Sequence, residues 1–281
     1  MTALAYASAS RAASDHSAGV DRERQAQSIT LQVTALMLAL LIPTALGVLF
    51  DERLTNGVNG WLKPIKFEAS LAIHFGTLAL LLGLIAPAVR AGRVVRWSML
   101  AAAVLAVLEV AYIMVQAGRA RASHFNNATR FEEVAYALMG LGAACIVIFS
   151  FIAGLMLWRH ARAGVTPAMR LAAAGGLMFS GLATLLIAGY MSQTGAHWVG
   201  TPSDAGSLPL LGWSTTGGDL RAPHFFATHA VQAVPLFALA WERLRPASAT
   251  LPVAVFLALY AAFTAAVFVQ ALMGLPFLPW R

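Results

Sequence analysis

Seven stretches of about 20 mostly apolar residues, separated by short polar segments, constrain this chain more than any single residue does. A helix of that length crosses the hydrocarbon of a bilayer. In hydrocarbon each backbone N–H and C=O must be bonded within its own segment, so the stretches predict helices rather than open strands. They lie at roughly 28–50, 66–89, 95–117, 133–158, 168–191, 221–241 and 250–273. The chain reads as all-α: an integral membrane helical bundle of seven transmembrane helices over 28–281. A polar segment over 1–27 reads as a disordered cytoplasmic tail, and a long outer loop is expected at 192–220.

Composition agrees. Hydrophobic residues make up 59% and charged residues 11%, far from the balance of a soluble domain. A single cysteine, Cys145, excludes an intrachain disulfide and any multi-cysteine metal site. The basic residues sit in short connecting segments rather than in one stripe, which speaks for membrane topology and against nucleic acid. Eleven cations fall on the side of the N-terminus and eight on the other. The positive-inside rule therefore expects a cytoplasmic N-terminus, a periplasmic C-terminus and a bacterial inner membrane. Every unusual loop then lies on the outer face: 51–65, 118–132 and 192–220.

Polar residues inside apolar spans are costly and point to function by default. The densest such stretch runs from Gly218 to Pro235, with Asp219, Arg221, His224, Thr228, His229 and Gln232. At helical spacing Arg221, His224, Thr228, His229 and Gln232 share one face, and Asp219 is placed to cap the helix start. In the second span Lys66, Ser70 and His74 share a face, with Lys63 one turn above. Lys63 and Lys66 are the two lysines of a chain that otherwise uses arginine. In the third span Glu109, Tyr112 and Gln116 recur at spacings of three and four. Counted from the expected span ends, His74, Glu109 and His229 lie roughly 12–14 Å below the outer surface, which predicts one buried cluster. The connector 119–132 adds Arg119, Arg121 and His124, while Thr129 and Glu132 have capping-box spacing.

Four readings fit this pattern. A haem b would take axial imidazoles from His74 and His229, with His224 able to replace either, and propionates against Lys63, Lys66 and Arg221. A zinc or iron centre would use His74, His229 and Glu109. A transporter or binder of an anionic small molecule or lipid headgroup would use an outer vestibule. Arg119, Arg121, Arg221, His124, Asp219, Gln232 and the two lysines would line it. In the fourth reading the polar groups only hold the helices together. A haem- or metal-dependent redox protein is the leading expectation.

Three blocks carry a resemblance. Trp61-Leu62-Lys63-Pro64-Ile65-Lys66-Phe67, Ser123-His124-Phe125-Asn126, and Gly218-Asp219-Leu220-Arg221 running on to Pro235 resemble a group of bacterial multi-span membrane proteins. The resemblance covers residues 60–235 and implies a membrane fold. It brings no activity and no site residue with it.

Overall fold

The computed structural model describes residues 2–55, 57–200, 207–208, 211–245 and 249–278, with side chains from residue 21 onward. The helices are α1 (Thr2–Phe50), α2 (Leu62–Leu82), α3 (Pro87–Arg90), α4 (Arg93–Gly118), α5 (Arg130–Arg159), α6 (Pro167–Thr194), α7 (Arg221–Leu244) and α8 (Thr250–Leu272). Two short antiparallel pairs, β1 (Leu54–Thr55) with β2 (Val58–Asn59) and β3 (Trp198–Val199) with β4 (Gly218–Asp219), tie loops at one end. Six helices are long and apolar enough to cross a membrane: Asp21–Phe50 of α1, and α2, α4, α5, α6 and α8. The remaining long helix, α7, has 24 residues but carries Arg221, His224, His229, Gln232, Glu242 and Arg243.

Two expectations need correction. The segment expected to be disordered over 1–27 is helical from Thr2 and continuous with α1. Over 21–27 the cause is packing. Ala26 is fully buried, and Gln27 Nε2 donates to Ala79 O at 2.9 Å. Arg90 Nε donates to Glu23 O at 2.7 Å, and its Nη1 to Leu82 O at 3.3 Å. That guanidinium thereby ties the start of the described α1 packing to the C-terminal end of α2. Upstream, the alanine-rich composition favours helix. Second, the span expected at 66–89 is α2 at Leu62–Leu82. Pro64 lies in the first turn, where a missing N–H costs nothing, so the helix starts a turn early. Gly83 and Leu84 close the other end with turn hydrogen bonds before Pro87 opens α3.

Helix α1 packs on α2 and α4, α4 on α5, and α5 on α6, while α6, α7 and α8 pack on one another. Phe75, Leu78, Leu82, Met99, Ala106 and Leu177 lie in the main buried cluster. Helices α2, α5 and α7 run in one direction and α1, α4, α6 and α8 in the other. The described residues of the connectors after α1, α4 and α6 thus share one end. Arg53 Nη2 donates to Gly118 O at 2.9 Å there, and Leu220 N to His197 O at 2.8 Å. Trp213 is buried against Phe225, Phe226 and Phe277.

Gly218 sits under the end of α8, where an added Cβ would lie 2.0 Å from Ala271 O. Backbone cannot yield as a flexible side chain can. Gly218→Val is expected to destabilise the protein by about 1–3 kcal/mol, read as a lower Tm in detergent. Gly140→Ala, whose Cβ meets nothing within 4 Å, leaves Tm unchanged.

Candidate functional site

The polar faces of α2 and α7 meet in a regular way. Gln232 Nε2 donates to Thr77 Oγ1 at 3.0 Å across 155 residues. Because the two helices run parallel, the same 155-residue stagger sets His74 opposite His229, Ser70 opposite Phe225 and Lys66 opposite Arg221. His74 is thirteenth in α2 and His229 ninth in α7. Their expected equal depth still holds, since α2 begins one turn higher. Thr77–Gln232 is the one side-chain tie between these two helices among the described residues. Above it the facing sides stay open: Lys66 and Ser70 are exposed, and Ile73 and Phe225 are 50% and 36% exposed.

At the mouth, two cations converge on one turn of backbone. Lys66 Nζ donates to Leu211 O at 3.3 Å, and Arg221 Nη2 to Gly212 O at 2.5 Å. Asp219 holds the arginine: Oδ1 accepts from Arg221 N and Nε, Oδ2 from Nη2 at 2.6 Å. Oδ2 also accepts from Ser214 N at 2.8 Å. Asp219 therefore does more than cap the start of α7. It fixes Arg221 and the loop together.

A second group lies inside the same end. His124 Nε2 is 3.9 Å from Glu109 Oε1, and Glu109 is 7% exposed. Lys63 is within electrostatic range of both and makes no hydrogen bond with a described residue. His124 is set between Phe67 and Tyr136, and Ser123 Oγ lies 3.2 Å from its Nδ1. Its loop is braced by Asn126, which bonds Ala122 O at 2.7 Å and Ala128 N at 3.1 Å. Phe125, at φ 53°, is held in the left-handed region by packing on Tyr136 and His197.

Of the expected vestibule arginines, Arg221 stands at the α2–α7 mouth, while Arg119 and Arg121 are engaged in another network. Arg121 Nη1 pairs with the buried Glu132 Oε1 at 3.0 Å, and Arg119 Nη1 donates to Gln116 Oε1 at 3.1 Å. Gln116 Nε2 bridges Tyr112 and Glu132. Thr129 caps α5 through Glu132 N, as its spacing predicts. The carboxylate of Glu132 is also the centre of a polar network that capping alone does not suggest.

The expected cluster of His74, Glu109 and His229 is not assembled. The charge neighbours of Glu109 are Lys63 and His124, while His74 and His229 face each other on α2 and α7. Among the described residues no three His, Cys, Asp or Glu side chains are gathered as a metal ion requires. Both histidines of the expected haem pair are hydrogen-bonded within the protein. Ser150 Oγ gives its proton to Ile146 O, so His74 Nε2 must donate to Ser150 Oγ, at 3.0 Å. That nitrogen has no lone pair left to ligate iron. His229 Nδ1 donates to Phe225 O at 2.8 Å, and its ring stacks on Phe225 at 3.9 Å. Among the described residues Gln232 Oε1 and His224 Nδ1 are buried without a hydrogen-bond partner, and His229 Nε2 makes no hydrogen bond.

Sequence reasoning missed several participants. Thr77 and Ser150 are ordinary residues whose roles depend on which helices are neighbours. Glu68 on α2 is fully buried and accepts from Thr44 Oγ1 at 2.7 Å. His197 lies beside Arg221, Asp219 and Lys63, with its ring on Trp198. Set against known proteins, the chain matches no family model, no curated protein and no solved structure.

Burial, then the nearby Lys63 ammonium, hold His124 down from 6.5 to about 3. Burial, then Arg221, hold His197 down to about 4. Below pH 6.5 the unfolded chain binds protons that the folded chain refuses, so acid disfavours the fold. Tm in detergent should fall between about pH 7 and pH 5, and His124→Gln should flatten that fall. An unchanged pH profile in His124→Gln would contradict the burial of this imidazole.

Proposed function

We propose that the chain is a seven-span protein of a bacterial inner membrane that binds an anionic small molecule or lipid headgroup at its outer face. In this reading α7 is the seventh span. Its polar side would be intolerable against lipid alone, yet it is met by the polar side of α2. The N-terminus is cytoplasmic and the C-terminus periplasmic, because the end holding residues 90–96, 159–170 and 243–245 has the larger share of arginine.

The observation that carries the reading is the convergence of Lys66 and Arg221 on the carbonyls of Leu211 and Gly212. Neutral carbonyls are modest partners for two cations. A phosphate or carboxylate makes charge-assisted bonds that are shorter and roughly twice as strong. An anion arriving at the mouth would replace those carbonyls on Lys66 and on the exposed edge of Arg221. Asp219 keeps Arg221 oriented and offsets part of its charge, which favours a small anion over a polyanion. A resident haem or metal is the weaker reading, given the engaged Nε2 of His74 and the separation of Glu109 from the histidines.

The test is a thermal-shift titration of the purified full chain with inorganic phosphate, glycerol phosphate and acetate. At least one anion should raise Tm, with the shift shrinking as sodium chloride screens the site. Lys66→Gln should weaken apparent affinity by about three- to tenfold. If no anion shifts Tm, or Lys66→Gln binds like the parent, the reading fails. An absorption spectrum of the same sample should show no Soret band. A band that sharpens on reduction and is lost in His229→Ala would replace this reading with a haem protein.

A further inference from the structure

We infer that the ligand enters from the bilayer rather than from water: the gap between α2 and α7 is a lateral cleft for an acidic phospholipid. This rests on the anion site proposed above and names its occupant. The exposed side of α2 carries Lys66, Ser70, Ile73 and, below the tie, Leu80; that of α7 carries Phe225 and then Leu236. By the common stagger these sides face each other. They are joined by Thr77–Gln232, and above it Lys66, Ser70, Ile73 and Phe225 are exposed. Helix α1 packs on the side of α2 that holds Glu68 and Ala79 and α8 packs on α7, and among the described residues α1 and α8 have no extensive contact. The gap therefore opens sideways, toward lipid.

Its chemistry is graded along its length. Cations stand at the mouth, a serine hydroxyl and an imidazole–Phe225 stack come next, and Ile73 lies beside them. From Lys66 to Thr77 the cleft descends roughly 16 Å at 1.5 Å per residue. A free phosphate would use the mouth and leave this apolar length uncovered. A phospholipid places its phosphate against Lys66 and Arg221, and its glycerol near Ser70. One chain then lies along Ile73 and Phe225. Ser70, which makes no hydrogen bond with a described residue, and the open Nε2 of His229 would otherwise face hydrocarbon, where unpaired polar atoms are costly. Charge at one end and apolar surface along the rest match a lipid of the outer leaflet.

Native mass spectrometry of the full chain from detergent, loaded with phosphatidylglycerol or with phosphatidylcholine, tests this. One phosphatidylglycerol per chain should survive activation that strips phosphatidylcholine. Its occupancy should fall about fivefold in Lys66→Gln and comparably in Ser70→Trp, which fills the gap opposite Phe225. Arg130→Gln, an exposed arginine at the same end, should change nothing. If phosphatidylglycerol is lost as readily as phosphatidylcholine, or both cleft variants hold it like the parent, the inference fails. Should glycerol phosphate still shift Tm through Lys66 in that event, the anion site stands and its ligand is soluble. If neither lipid nor glycerol phosphate binds, both readings fall. Cross-linking of one chain to another through cysteines placed at 70 or 73 would also overturn the inference, since a second copy would then cover the cleft.

Discussion

One hydrogen bond, from Gln232 on α7 to Thr77 on α2, sets the stagger at which the polar faces of two parallel helices meet. On one side stand α1, α2 and α4; on the other, α6, α7 and α8, with α5 bridging behind. A polar atom placed in hydrocarbon must find a partner, and few registers would let these two helix faces satisfy each other. At the observed one, Thr77 serves Gln232, His74 is free to reach Ser150, and Lys66 stands across from Arg221. A slip by one residue would turn each of these side chains by about 100° on its helix. The polar mouth and the depth of the cleft both follow from that register.

The same constraint gives each histidine of the pair a partner within the protein. Each has a local partner that fixes its tautomer. His74 gives its Nε2 proton to α5, and His229 gives its Nδ1 proton to the carbonyl one turn earlier on its own helix. Their remaining acceptors lie along the gap between α2 and α7, with the buried acceptors of Gln232 and His224. Acceptors without donors in a buried space are uncommon in folded proteins, and they mark the gap as a place where something else makes contact. Lys63, Glu109 and His124 form a second group under the loop 123–126, with His197 between it and the Arg221–Asp219 pair.

Much of this was legible in the sequence, in ways that follow from local physics. Long apolar runs dictate helices, so the long elements and most of their ends were clear. Four-residue spacing on α7 put Arg221, His229 and Gln232 on one side, as found. The matched depth of His74 and His229 survived because the polar spacing on each helix is independent of where that helix starts. What could not be read was adjacency. Glu109 shares a depth with the histidines but turns toward Lys63 and His124, and depth alone cannot distinguish those directions. The partner of Glu68, Thr44, comes from α1, and nothing in the spacing on α2 shows which neighbouring helix its Glu68 side meets. The extra turn of α2 was hidden by Pro64, which ends helices in most positions and begins them in the first turn.

The central claim is the pairing of α2 with α7 at a single stagger, and cysteine cross-linking measures it most directly. In a Cys145→Ser background, T77C/Q232C and H74C/H229C should be joined by a short, membrane-permeant bifunctional methanethiosulfonate. Pairs displaced by one turn, such as T77C/L236C and H74C/A233C, should react far less. Efficient cross-linking of the displaced pairs, or none between α2 and α7 at any position, would contradict the account, because the mouth, the cleft and its proposed ligand all depend on that register.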